Sequence, residues 1–470
     1  MALNKFHYGL LLWVLSSGSG WAIDSIKKTD VILSQEELSA NTSLRLSNNS
    51  RIQDVVSPVA LDITKAVWRA VQWHPSIAEV ASKIYESSER VNIERAKYYP
   101  RVSLGMNNEL LNSSSGFNYD PAIDLSLTQV LYDFGKIDSS LRAAKAKVAQ
   151  TQAELLLRVD TVAYDTAKSV VQIQGYQKLI DIARDQVIAL ESIMMLAQQR
   201  YREGASSFSD VVQTQTRIEG ARSTLLQYQA NLERWQATLA NFLGWGHVNS
   251  VADELPWALS NYCQIASLDY KIVPAALLST AQLRYAQANL DTAMAQMTPT
   301  IALVPNVTHY IKDSGMVSRG YDRTQFALRV KVDMPLYQGG GLSANRNAAQ
   351  YMIQSARAAL KNTELNISRQ LNESKNEEIT LSRTLITLSK QKKLAEETFR
   401  LYKKQYLQLG GRTLLDLLNA EQEIYQVSFS EIEINNQLNI LQLDCLYSTG
   451  NIRSAFKLNN TIIQSVEVQS

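Results

Sequence analysis

Apolar positions alternate spacings of four and three from Leu155 through Val159, Val162, Thr166, Ser169, Ile173, Tyr176, Ile180, Ala183, Val187, Leu190, Met194 and Ala197 to Tyr201. This is a coiled-coil heptad register, and no proline interrupts 122 to 255 or 336 to 470. The pattern predicts a helix over about 136 to 202. At ~1.5 Å per residue its length is on the order of 100 Å, more than a globular core can cover. The segment "YREGASSFSD" (201 to 210) breaks it, Gly204 supplying the stop and Ser207 or Ser209 the next cap. A helix roughly half as long follows over 208 to 243.

The second half repeats the plan, with a helix over about 339 to 406, a break at "YLQLGGRTLLD" and a helix over about 412 to 449. Pro100 matches Pro299, Leu131 matches Leu336, Gly204 matches Gly410, Asp210 matches Asp416 and Gly244 matches Gly450, at offsets of 199 to 206. A near-constant offset indicates internal duplication. Shorter helices open the halves at about 65 to 97 and 270 to 297. Their lengths suggest end-to-end stacking: 208 to 243 with 270 to 297 beside the first long helix, and 412 to 449 with 65 to 97 beside the second. The remaining segments, 244 to 269 and 450 to 470, would collect as a belt midway along the rod. The chain divides into a first repeat (61 to 250), an equatorial linker (251 to 269), a second repeat (270 to 450) and a C-terminal equatorial tail (451 to 470).

Between short and long helix in each half lies a strand pair, about 101 to 111 with 121 to 131, and 301 to 311 with 323 to 334. Thr324, Phe326, Leu328, Val330 and Val332 alternate with Arg323, Gln325, Arg329, Lys331 and Asp333; Ile123, Leu125 and Leu127 alternate with Asp124, Ser126 and Thr128. Strands of ~10 residues with one apolar face suit a membrane barrel, although an amphipathic strand in a soluble sandwich reads the same. Four strands cannot close a barrel, and an open edge cannot face lipid. A barrel therefore needs several copies, and three would supply twelve strands. The pairs run into the long helices at "VLYDFGKIDSS" and "MPLYQGGGLSAN", where Gly135 and Gly339 suit a sharp turn from strand to helix.

The N-terminus, "MALNKFHYGLLLWVLSSGSGWA", has a lysine, an apolar stretch and small residues Gly20 and Ala22 before Ile23. It reads as a signal peptide over 1 to 22, its apolar stretch being shorter than the ~20 residues of a spanning helix. Residues 23 to 60 read as an extended, polar leader. Lys+Arg 47 against Asp+Glu 45 in 470 residues leaves a formal charge of +2, which gives nucleic-acid binding no support.

The duplicated turns "LTQVLYDFG" and "VDMPLYQGGG", the strand-entry prolines in "AKYYPRVSL" and "AQMTPTIAL", and the tips "YREGASSFSDVVQTQ" and "GGRTLLDLLNAEQEIY" resemble the TolC family of outer-membrane exit ducts, over roughly residues 61 to 456. The resemblance implies a homotrimer with a twelve-stranded barrel in outer-membrane lipid, continuous with a coiled-coil α-helical barrel in the periplasm. It implies a periplasmic adaptor and an inner-membrane transporter, an ABC ATPase, as partners. "GGRTLLDLLNAEQE" and the lack of a cysteine near the cleavage point resemble the type I secretion branch, which exports proteins, rather than the lipoprotein efflux branch; small-molecule efflux is the alternative. At the tips, the resemblance implies that Asp210, Arg412, Asp416 and Asn419 close the periplasmic entrance. Arg412 would tie its helix to the neighbouring pair, and Asn419 departs from a two-acid pattern. Gly204 and Gly410 would let adaptor helices approach.

No cofactor or metal site is expected. The four histidines are scattered, no phosphate loop or nucleophile elbow occurs, and "YQGGG" lacks the Lys-Ser/Thr that would hold phosphate, so the chain reads as no enzyme. A secreted coiled-coil rod would explain the heptads but not the repeated strand pairs. Cys263 and Cys445 could form a disulfide or remain two buried thiols.

Overall fold

Two helices set the length of the molecule: α3 (Lys136–Arg202) has 67 residues and α7 (Gly341–Lys404) has 64. A computed structural model describes residues 60–468 apart from 114–115, 254–255, 257–258, 260–261, 312–321, 410 and 465. The expected signal peptide and the leader to residue 59 lie outside the described residues. In chain order the first repeat comprises α1 (Ile63–Trp73), α2 (Pro75–Ala96), β1 (Arg101–Ser113), β2 (Gly116–Tyr132), α3 and α4 (Phe208–Leu243). A short α5 (Tyr262–Ile265) follows. The second repeat comprises α6 (Pro274–Ala295), β3 (Thr300–Tyr310), β4 (Thr324–Asp333), α7, a π-helical turn (Gln405–Leu409) and α8 (Leu414–Ser448). α9 (Ile452–Ala455), β5 (Thr461–Ile463) and β6 (Val466–Val468) complete the tail.

Two sequence expectations need correction. The helix expected over 65 to 97 is two helices, because Pro75 holds the preceding residue out of the helical region, and His74 adopts φ −62 and ψ 125. These helices also lie along α3 of their own chain, whereas the length matching put them beside α7; α7 packs against α6 and α8. On α7 the apolar residues Leu365, Ile379, Ile386, Leu394 and Leu401, at steps of seven or eight or a multiple of seven, remain exposed.

The four strands form one antiparallel sheet in the order β1-β2-β3-β4. The register sorts side chains by face. Val102 pairs with Leu127, Leu104 with Leu125 and Met106 with Ile123; Leu303, Pro305 and Val307 face Val330, Leu328 and Phe326. The opposite face is polar, where Asp124 accepts from Asn107 Nδ2 and from Thr308 Oγ1, both at 2.5 Å, and the Ser103 and Ser126 hydroxyls lie 2.8 Å apart. Both edges, β1 and β4, are unpaired among the described residues.

At the foot of the sheet α3 is capped by Gly135 at φ +87 and α7 by Gly340 at φ +81. In the second turn the cap thus falls one residue beyond Gly339, which is itself left-handed at φ +59. A β-carbon is disfavoured in that region, which is why both turns use glycine.

The thickest core is the belt. Leu155, Val159, Ala163, Ala167, Val170 and Ile173, near the middle of α3, pack with residues of α1, α2, the end of α4, α8 and the tail, including Phe456, Leu458 and Ile463. Within it, Arg453 Nη1 donates to Asp160 Oδ1 at 3.0 Å, and both side chains are almost fully buried. Cys263 and Cys445 are joined by a disulfide, with Cα atoms 5.3 Å apart, which fastens α5 to α8. Among the described residues no helix is long and apolar enough to cross a membrane.

Candidate functional site: the paired helical tips

The two breaks come together at the end of the rod away from the sheet. Leu190, Ile193, Met194 and Ala197 of α3 pack there with Ile218 and Ala221 of α4, Tyr406 of the π turn, and Leu414, Leu417 and Leu418 of α8. Each break is restarted by the same chemistry. Gly204 stands at φ +73 after α3. Ser207 and Asp210 then form a capping box on α4, and Thr413 and Asp416 form its counterpart on α8. Serine and threonine side chains satisfy free N–H groups of the first turn while the acid reaches back to the cap.

Duplication thus places Asp210 and Asp416 in equivalent jobs. Asp210 Oδ2 accepts from Ser206 Oγ at 2.5 Å and from the Ser207 amide at 3.4 Å. Asp416 Oδ2 accepts from the Thr413 amide at 3.1 Å and its hydroxyl at 3.0 Å, and these bonds hold the Asp416 carboxyl below the usual carboxylate range. Arg412 does not reach Asp210 within the chain. Its Nε donates to Gln405 Oε1 at 3.2 Å and its guanidinium lies 4.3 Å from the Tyr402 ring centre, so it fastens the second break to the end of α7. Gly410 lies outside the described residues.

The ties that join the two hairpins of one chain come from residues the sequence reading did not single out. Arg200 Nη1 donates to the Tyr406 carbonyl at 2.9 Å and covers the Tyr406 ring at 4.5 Å. Arg217 of α4 reaches α8, donating to Gln422 Oε1 and, at 3.3 Å, to Asn419 Oδ1. Below Arg217 lies Glu421, 2 % exposed, whose Oε1 has no hydrogen-bond partner. Burial pushes its carboxyl up to about 8, with Arg217 pulling against the shift. A signal for Glu421 was present: Leu414, Leu418, Glu421, Tyr425, Ser428 and Ile432 follow the four-three spacing of a buried seam, and a carboxyl occupies one of its places. Arg200 and Arg217 carry no such mark, since arginine on a helix flank is ordinary.

A surface groove of about 470 Å³ runs outside the first tip, lined by Met194, Gln198, Phe208, Val211, Val212, Gln215, Thr216 and Glu219. Among the described residues no tip group is arranged as nucleophile, base and orienter. The arrangement instead ties the two hairpins of the chain to each other at the end of the rod.

Residues 67–245 and 276–444, one stretch in each repeat, match the family described as outer membrane efflux protein. Protein CyaE of Bordetella pertussis is 28% identical over 320 residues, 65% of either chain. Outer membrane protein TolC of Vibrio cholerae is 21% identical over 416 residues, 83% of this chain and 93% of that protein. Among solved structures, the outer membrane protein VceC of Vibrio cholerae superposes with a TM-score of 0.73 at 17% identity, covering 83% of this chain and 96% of that one. Sequence and fold agree over both repeats, and the chain belongs to the outer membrane efflux protein family, the TolC-like outer-membrane channels, which are passive conduits and not enzymes.

Proposed function

We propose that three copies of this chain form the exit duct of a tripartite type I secretion system, passing protein cargo from a periplasmic adaptor and an inner-membrane ABC ATPase across the outer membrane. The observation that carries the assembly is the four-stranded sheet with two unpaired edges and one apolar face, joined directly to the long helices. Backbone edges are intolerable in lipid, and three sheets supply a closed wall of twelve strands. The exposed apolar stripe of α7 supports the same reading, since a heptad seam of this kind needs a partner helix, and α4 of a neighbouring copy, 36 residues from tip to belt, has the matching length.

In this reading the tips are the periplasmic gate. Asp416 and Asn419 face the axis, Arg412 and Asp210 stabilise the closed breaks, and Gly204 and Gly410 admit the adaptor. Arg412→Ser and Asp210→Ala should each raise single-channel conductance in a bilayer. Unchanged conductance in both would return these residues to simple caps.

The tip "GGRTLLDLLNAEQE" supports protein secretion. The family description favours a second reading, small-molecule efflux. In a bacterial host lacking its own duct, the chain is expressed with either a type I transporter, adaptor and cargo or a drug pump and adaptor. Cargo in the medium supports secretion. Restored drug tolerance without cargo export overturns it in favour of efflux.

A further inference from the structure

Within the gate reading, on which this step rests, one carboxyl sits in a buried seam with no role as a cap or an ion-pair partner. Glu421 is buried one turn beyond Leu417 and Leu418, with one carboxyl oxygen unpaired. The titratable and charged groups around it come from α4, α8 and α3. α4 contributes Arg217, which bonds to Asn419 and Gln422 on either side of Glu421. α8 contributes Tyr425, whose hydroxyl donates to the Asp185 carbonyl of α3 at 3.1 Å, and the Asp185 carboxylate also acts on that site. The other two guanidinium groups of the tip are engaged elsewhere, Arg412 on the Tyr402 ring and Arg200 on the Tyr406 ring.

We propose that Glu421 and Arg217 form a proton-controlled latch between α4 and α8: protonated Glu421 lets the tip pack closed, and loss of that proton loosens α8 from α4 and eases opening. Neither residue belongs to the set Asp210, Arg412, Asp416 and Asn419. A neutral carboxyl tolerates the dry seam, whereas an ionised one demands water or a full ion pair. Arg217 does not supply that pair in the closed tip, where its Nη1 and Nη2 donate to Gln422 and Asn419. An ionised Glu421 left without such a pair draws water between the helices, and that weakens the α4–α8 contact.

The sign follows from the position of the titration. In a loosened tip the carboxyl is hydrated and ionises near the ordinary value of ~4.3; in the closed tip burial raises it to about 8. Closed packing is therefore favoured in acid and loses ground as pH rises between those values, by up to about tenfold in the opening equilibrium per pH unit. Asp416, held low by its cap, stays ionised across that window and does not contribute.

The test combines two readouts on the purified full-length assembly between pH 5 and 8. Amide exchange of residues 208 to 221 and 414 to 425, corrected for intrinsic rates, reads the packing; bilayer conductance reads the gate. The proposal expects protection to fall and conductance to rise with pH in wild type, and Glu421→Gln, which mimics the protonated acid, to hold both at their acid values. Arg217→Gln should lower protection at every pH, while Asp416→Asn should retain the pH response. Protection that does not change with pH in wild type, or that changes equally in Glu421→Gln, overturns the latch. Protection that changes while conductance does not supports the latch and overturns the gate reading instead.

Discussion

Gly244 ends α4 at φ +66, and a β-carbon built on it would meet the Trp73 ring at 2.2 Å. Its counterpart Gly450 stands at φ +72, with the Ile272 carbonyl oxygen 2.6 Å from the same imagined atom. In both repeats the end of the returning helix thus lies against the chain just before α2 or α6 begins. Left-handed strain and overpacking act together here, so Gly244→Ala should cost about 2 to 5 kcal/mol. A thermal melt of the purified protein checks this; an unchanged midpoint would mean the ring moves aside freely. The pairing of Gly244 with Gly450 is visible in the sequence, but the Trp73 ring and the Ile272 carbonyl that they must clear are not.

At the scale of elements, the four-three spacing determines a long helix but not which helices surround it. α3 takes α1, α2, α4, α6 and α8 as neighbours, and it accommodates close approach with small or polar positions, such as Gly175 against Asn436. The join between α3 and the tail depends on Asp160 and Arg453. Removing one member of a buried pair strands the other, so Asp160→Leu or Arg453→Met alone should cost about 3 to 5 kcal/mol, and the double variant should recover most of it. Melting of the three variants provides the check. An additive double variant would show that the two charges do not depend on each other. No period in the sequence marks this pair, because the two residues come from α3 and a four-residue helix far apart in the chain.

For the whole molecule, closure of the sheet requires more than one chain. Detergent-extracted protein should have three times the chain mass by multi-angle scattering, and a stable monomer would contradict the barrel. The belt predicts a second property. The disulfide between Cys263 and Cys445 joins residues 182 apart, and chain-entropy arguments assign such a loop on the order of 5 kcal/mol, less any strain. Unreduced peptide mapping should yield one linked pair, and reduction should lower the melting temperature. Two freely alkylated thiols would refute the bond.

What the sequence determined by itself was whatever depends on local period and on repetition: the long α3, the breaks at Gly204 and before Arg412, the two-faced strands, the duplicated turns, and through them the family. Heptads, alternation and glycine stops act between residues a few positions apart, so they can be read along the chain. Only the tertiary structure decided that α1–α2 lie on α3, that Arg412 engages Tyr402 and not Asp210, and that Arg200, Arg217 and Glu421 join the two tips. These outcomes depend on which helix faces meet after the chain doubles back on itself. A side chain's partner across such a contact, and the burial that sets its charge, are properties of that meeting and not of any stretch of sequence.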